Sequence, residues 1–248
     1  MSLRKLFQAL GRRQREIPVP PQHLRDRVQV TQSPERFLEV SNVFRADLEA
    51  ALQRVGLGLA SFSRILDFGC GCGRALRAFA DLSRSARLFG TDIDAEAIEW
   101  CRANLRFASF RVNSASPPLP FPPAKFDLVF SISVFTHIDE ERQFEWLQEL
   151  RRVMKPGGLA LITLHGSLDA AKLPADKQAV LNSKGIYFDA DGAWKDIFPD
   201  WYQSTFHTEE YVRRQYADFF EVLDYIPMGL NDHQDIAVLR KPRRDKTR

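Results

Sequence analysis

The stretch Leu66-Asp67-Phe68-Gly69-Cys70-Gly71-Cys72-Gly73-Arg74 holds the densest set of residues able to shape a ligand site. Glycines at alternate positions permit a tight strand-to-helix turn, let a ligand lie against bare backbone, and aim the N–H groups of the following helix at it. The spacing is G-x-G-x-G, and Arg74 stands where a dinucleotide loop would carry its third glycine. Asp67, just before the loop, would repel a pyrophosphate and suits a cationic amino acid. Asp92 follows 19 residues after Gly73. At the end of a second strand, a carboxylate there can accept hydrogen bonds from both hydroxyls of a ribose. Cys70 and Cys72 form a C-x-C pair inside a glycine turn without a histidine or cysteine partner nearby, so no metal site is expected.

These residues need a frame, and the chain provides an alternating one. Ser33-Pro34-Glu35 reads as a helix start, and Phe37, Val40, Phe44, Leu48, Ala51, Leu52 and Val55 recur at helical spacing up to Gly56. Strands are predicted at 64–68, 86–91, 107–112, 126–132 and 159–164, with helices near 73–83, 95–105 and 140–154 between them. Asp139 looks like the N-cap of the last of these helices. A helix beginning near Thr208 and closing strands at 219–226 and 235–239 complete the chain. Strands alternating with helices imply an α/β fold whose mainly parallel sheet is covered on both faces. Residues 165–207 break the rhythm. They are long, weakly periodic and rich in aromatics (Tyr187, Phe188, Trp194, Phe198, Trp201, Tyr202, Phe206), as expected of a cover over a site.

Composition narrows the class. The 248 residues are 44% hydrophobic and 27% charged, ordinary for a globular domain. The net charge of +3 hides a division. Residues 1–15 hold five basic and no acidic side chains, and residues 240–248 hold six basic and one acidic, so the remaining body has a net charge of −7. Residues 1–32 read as a basic segment followed by Ile17-Pro18-Val19-Pro20-Pro21, whose fixed φ angles favour an extended tether, ahead of a single domain over 33–248. Leu3, Leu6, Phe7 and Leu10 share one helical face amid Arg4, Lys5, Arg12 and Arg13, which would allow weak contact with an anionic membrane surface. The apolar run at the N-terminus is too broken for a signal-peptide core, and three clustered cysteines point to a reducing compartment. A cytoplasmic protein is expected.

The order strand, glycine loop, helix, strand and acid resembles the class I S-adenosylmethionine-dependent methyltransferases, in particular their type-11/type-12-like group. Asp67-x-Gly69-x-Gly71-x-Gly73 is similar to that family's cofactor loop, and Gly90-Thr91-Asp92-Ile93-Asp94 to its ribose block. Leu119-Pro120-Phe121 with Phe126-Asp127-Leu128-Val129 resembles the approach to strand four, and Arg152-Val153-Met154-Lys155-Pro156-Gly157-Gly158 the turn into strand five. The resemblance implies a Rossmann-like, seven-stranded, mostly parallel sheet whose last strand runs antiparallel. It further implies S-adenosylmethionine at the carboxyl ends of the strands, its methionine part over Gly69–Gly73, its ribose on Asp92 and its adenine against Ile93. Where an acidic residue often meets the adenine amino group the sequence reads Val112-Asn113-Ser114-Ala115, so Asn113 or Ser114 would supply a neutral oxygen. The exit of strand four, Ser131 to Asp139, would face the cofactor.

Methyl transfer needs an aligned nucleophile and sometimes a base for its proton. His137 and His207 are the candidate bases, with His165 and His233 behind them; His137 also has a bland reading as a backbone-bonded loop histidine. The expected acceptor is a small molecule, methylated at oxygen, nitrogen or carbon. Alternatives are a methyltransferase acting on RNA or protein, a non-catalytic S-adenosylmethionine-binding partner protein, and a nicotinamide-dependent oxidoreductase. The acidic body, together with the absence of the Asn-Pro-Pro-Tyr and Pro-Cys motifs of base methylation, sets nucleic acid aside, and Asp67 with the G-x-G-x-G spacing disfavours the oxidoreductase.

Overall fold

A computed structural model of the chain describes residues 17–28, 33–192 and 200–243. The basic segment before residue 16, the aromatics Trp194 and Phe198, and the basic residues after 243 lie outside them. Among the described residues no helix is long and apolar enough to cross a membrane.

The strands are β1 Arg64–Phe68, β2 Arg87–Asp92, β3 Ala108–Val112, β4 Phe126–Ser131, β5 Met154–Leu164, β6 Ile186–Asp189, β7 Ser204–His207, β8 Glu221–Leu230 and β9 Gln234–Arg240. Seven of them form one sheet in the order β3-β2-β1-β4-β5-β9-β8. The first five are parallel, and β9, last in the chain, is antiparallel to both its neighbours. The expected Rossmann-like α/β architecture is present.

Side-chain alternation explains the two covering layers. From β1, β4 and β5, Ile65, Leu128, Phe130, Leu159 and Leu161 enter a core shared with Val40, Leu48 and Leu52 of helix α2, Pro34–Arg54. Leu66, Phe68, Val129, Ala160 and Ile162 turn to the opposite face and meet Trp146, Leu147 and Leu150 of Glu140–Val153. The stripe read at helical spacing is the buried face of α2, and Ser33 caps it by accepting from the Arg36 N–H at 3.2 Å. The helix expected after the glycine loop is a 3₁₀ segment at Leu76–Arg84.

Two expectations change. The proline segment is not a tether outside the domain. The guanidinium of Arg77, fully buried against the Phe37 ring, takes the Ile17 carbonyl at 2.8 Å, and Arg25 takes that of Pro20 at 2.6 Å. A short helix, α1 (Gln22–Asp26), follows and buries Leu24 among Phe37, Cys72 and Ala97. Buried guanidinium groups need acceptors, and proline-flanked carbonyls outside any ladder supply them. Residues 165–207 are also more regular than their sequence suggests. They contain Ser167–Ala170, Ala175–Lys184 and the antiparallel pair β6–β7. Ala175–Lys184 buries only Leu181, so it carries no apolar stripe to reveal it.

Candidate functional site

The carboxyl ends of β1, β2 and β4 open into a cavity of about 350 Å³. Its floor is the glycine loop. Gly69, Gly71 and Gly73 have φ of +82°, +51° and +78°, a region L side chains rarely adopt, and space is as restrictive as conformation. A Cβ on Gly69 would stand 2.2 Å from Val134 Cγ2, and one on Gly71 2.4 Å from Val28 Cγ1. The N–H groups of Gly69 and Cys70 donate to the Thr91 carbonyl at 2.8 and 3.0 Å, which sews the loop to β2.

Asp92 completes that seam. Its Oδ2 accepts from the Gly71 N–H at 2.7 Å and its Oδ1 from the Asp94 N–H at 2.9 Å, while burial raises its pKa. Asp67 differs: it is 1% exposed and its Oδ2 has no hydrogen-bond partner. Burial first, then the charge of Asp92, lift its pKa well above the usual carboxylate range, and Arg74 opposes them. An unsatisfied buried carboxyl on a cavity wall is costly alone and favourable beside a cation. A ligand carrying an ammonium group near Asp67 and vicinal hydroxyls near Asp92 fits these walls.

Ile93, 47% exposed, and Asn113 also line the cavity. Asn113 is braced from two sides, accepting from Thr91 Oγ1 at 2.7 Å and donating to the Ser114 carbonyl at 2.7 Å. Three expected contacts are not brought to the wall. Gly73 is turned toward Leu105 and Cys101, Ser114 is exposed outside the cavity, and Ser131 is fully buried on the face of β4 that Val129 shares.

The histidines separate just as clearly. His137 lines the cavity and stacks on Tyr202 with centroids 4.7 Å apart. Burial, then the neighbouring His165, push its pKa down to about 4, so at neutral pH its ring is uncharged. His165 and His233 line no part of this cavity. His207, 1% exposed, is also absent from the cavity wall. Gln143 donates to the carbonyls of Phe135 and Ile138, leaving its Oε1 to accept from Tyr216 and from His207 Nε2 at 3.0 Å. That arrangement places the His207 proton on Nε2. Burial holds the ring neutral, with its pKa near 3, inside a structural network. The thiol of Cys72 is pushed by burial up to about 12, and burial raises Cys70 as well, so both stay protonated.

Several wall residues carry no signal in the sequence. Leu24, Arg27 and Val28 come from the N-terminal segment, and Phe44 and Trp146 from helices on either side of the sheet. Arg27 is latched to Asp94 at 2.8 Å and Glu96 at 2.6 Å. Trp201 and Tyr202 do come from the expected cover. Its closing strand is tied to the exit of β4, with the Gln203 and Thr205 N–H groups donating to the His137 and Thr136 carbonyls at 2.8 Å.

Residues 65–158 match the family described as methyltransferase domain. The tRNA N(3)-cytidine methyltransferase METTL2 of Gallus gallus is 28% identical over 144 residues, which covers 54% of this chain and 39% of that protein. The fatty-acid O-methyltransferase of Mycolicibacterium smegmatis is 34% identical over 101 residues, 40% of this chain and 36% of that one. The chain thus spans well under half the length of these curated relatives. Among solved structures, the methyltransferase in complex with the Haloferax volcanii Trm112 activator aligns with a TM-score of 0.59 and 19% identity over 84% of this chain and 95% of that one. Human N-acetylserotonin methyltransferase in complex with SAM aligns with a TM-score of 0.57 and 16% identity over 95% of this chain and 66% of that one. These structures share the fold.

Proposed function

We propose, from the methyltransferase-domain match over residues 65–158 and the geometry of the cavity, that the chain is a class I S-adenosylmethionine-dependent methyltransferase and methylates a small-molecule acceptor in the cavity beneath Trp201 and Tyr202. When bound, S-adenosylmethionine supplies an electrophilic methyl group on a sulfonium. In this reading Asp67 faces the ammonium of its methionine part, Gly69 and Gly71 let it approach the backbone, and Asp92 takes the ribose hydroxyls. Ile93 covers the adenine, and Asn113 offers it the free lone pair of a side-chain oxygen. His137, neutral and stacked, accepts a hydrogen bond from the acceptor and orients it. Tyr202, whose hydroxyl burial keeps protonated, forms the same wall. Leu24, Val28 and Trp201 exclude water. His207 has no catalytic part, and Gly73 serves the turn.

The observation that carries the small-molecule reading is the state of the two cations lining the cavity. Arg27 is paired with Asp94 and Glu96, and Arg74 lies over the Phe44 ring at 4.9 Å with its pKa lowered to about 10 by burial. A phosphodiester arriving at this mouth would meet engaged cations and the carboxylates of Asp92 and Asp94. An RNA acceptor is the second reading, favoured by the names of relatives such as METTL2. Buried free thiols suit a reducing compartment, so the cytoplasm is the proposed location.

Calorimetric titration tests the cofactor assignment. S-adenosylhomocysteine is expected to bind in one-to-one stoichiometry and NAD to give no heat. Binding of NAD alone would overturn the proposal.

A further inference from the structure

The opposite end of the sheet carries a feature that the cavity does not explain. Four adjacent strands, β3-β2-β1-β4, begin at a row of cations: Arg106 two residues before β3, Arg87 and Arg64 as the first residues of β2 and β1, and Lys125 immediately before β4. Arg64 and Arg87 are direct register partners, a like-charge pairing that works against the sheet. With neighbouring strands ~4.8 Å apart, the row spans about 14 Å. The four side chains line a concavity of about 620 Å³ together with the hydroxyls of Ser83 and Ser109 and the rings of Phe89 and Phe107.

No carboxylate lines that concavity among the described residues. Asp127, on the adjoining stretch of β4, is held by Lys155 Nζ at 2.8 Å and accepts from the Ser63 and Arg64 N–H groups. Lys125 Nζ rests over the Phe89 ring at 4.0 Å and the Phe121 ring at 4.5 Å. Its pKa is lowered by burial and then by Arg111, Arg64 and Arg87, so the ammonium is placed where an anion would relieve it. β1 separates this edge from the cavity, since Arg64 starts the strand and Asp67 and Phe68 end it on the cavity wall, about 10 and 13 Å away at ~3.3 Å per residue.

We propose that this amino-terminal edge of the sheet is a binding site for a compact oligophosphate anion, such as the phosphate chain of a nucleoside triphosphate, held by Arg64, Arg87, Arg106 and Lys125. Guanidinium groups bind phosphate oxygens in pairs, and the lysine adds a point charge. The row ends after about 14 Å and sits in one concavity, a span that favours a short, highly charged ligand over a long nucleic-acid strand. Phe107, half-buried on the same wall, offers a ring to a nucleobase.

Inorganic tripolyphosphate is the probe, since it carries no adenosine to enter the cavity. Calorimetry should show one-to-one binding that weakens as salt is raised, with ATP displacing it and adenosine not. In the double variant Arg64→Gln/Arg87→Gln, affinity should fall at least about tenfold, with S-adenosylhomocysteine binding unchanged. A second readout guards against misfolding. The variant should melt no lower than wild type, because like-charge repulsion is removed, and tripolyphosphate should raise the melting temperature of wild type alone. No binding at about 1 mM probe, undiminished binding in the variant, or an oligouridylate that displaces the probe at lower concentration than ATP would each overturn the proposal.

Discussion

Asp92→Ala separates two tasks that one carboxylate performs. In the protein it clamps the glycine loop by accepting from Gly71 at 2.7 Å and from Asp94 at 2.9 Å, and it also lines the cavity. Losing a charged acceptor for the ribose hydroxyls costs about 1–3 kcal/mol, or about 5- to 150-fold in the dissociation constant of S-adenosylhomocysteine. Two backbone N–H groups also lose their partner, so the ligand-free protein should melt lower. Asp92→Asn keeps one acceptor oxygen and loses the charge, and it should fall between alanine and wild type in both respects. Titration calorimetry gives the affinity, and thermal melts without ligand give the stability. An alanine variant that melts lower yet binds within about twofold of wild type would confine Asp92 to the clamp and refute its place on the ribose.

Three further outcomes follow from the buried titratable groups. The Asp67 pKa is raised in the folded state, so its contribution to stability declines as pH rises from the unfolded value through the folded one. Asp67→Asn should therefore melt higher than wild type at neutral pH, and should weaken S-adenosylhomocysteine more than 5′-methylthioadenosine, which lacks the amino-acid part. Equal losses for the two ligands would remove Asp67 from the ammonium. His137, His165 and His207 are depressed to about 4, 4 and 3, so the unfolded chain takes up their protons first. Stability should then drop as pH falls from about 6.5 toward 4, by up to about 1.4 kcal/mol per pH unit for each histidine. Urea titrations across that window would show a flat profile if these rings were charged in the fold. Finally, His207→Ala should cost about 2–4 kcal/mol of stability and leave S-adenosylhomocysteine affinity unchanged, whereas His137→Ala should fold normally and slow turnover. A reversed pattern would restore His207 to the site.

The sheet and its helices were legible because their residues repeat at fixed periods. The stripe from Phe37 to Leu52 lies buried where the spacing put it, and β1 spans the predicted residues. The glycine loop was legible for another reason: three positive-φ positions leave glycine as the residue of choice, and the acids on either side have few roles. The N-terminal wall of the cavity was not legible. Leu24 and Val28 belong to a segment whose composition suggests a tether, and it packs down through partners many residues away: Arg77, which takes the Ile17 carbonyl, and Asp94 and Glu96, which pair with Arg27. His137 and His207 look alike in sequence, each flanked by aromatic and polar residues. They part in space because Gln143, from a helix distant in the chain, captures one of them. The covering pair β6–β7 escaped because each strand is four residues long.

The fate of the methyl group identifies the acceptor. The protein is incubated with methyl-labelled S-adenosylmethionine and a cell extract separated into metabolite, RNA and protein fractions. Label is expected in the metabolite fraction, with transfer at limiting cofactor slowed in Asp92→Ala and retained in Arg64→Gln/Arg87→Gln. Label confined to RNA or protein, or no transfer from a preparation that binds S-adenosylhomocysteine, would overturn the assignment of a small-molecule methyltransferase.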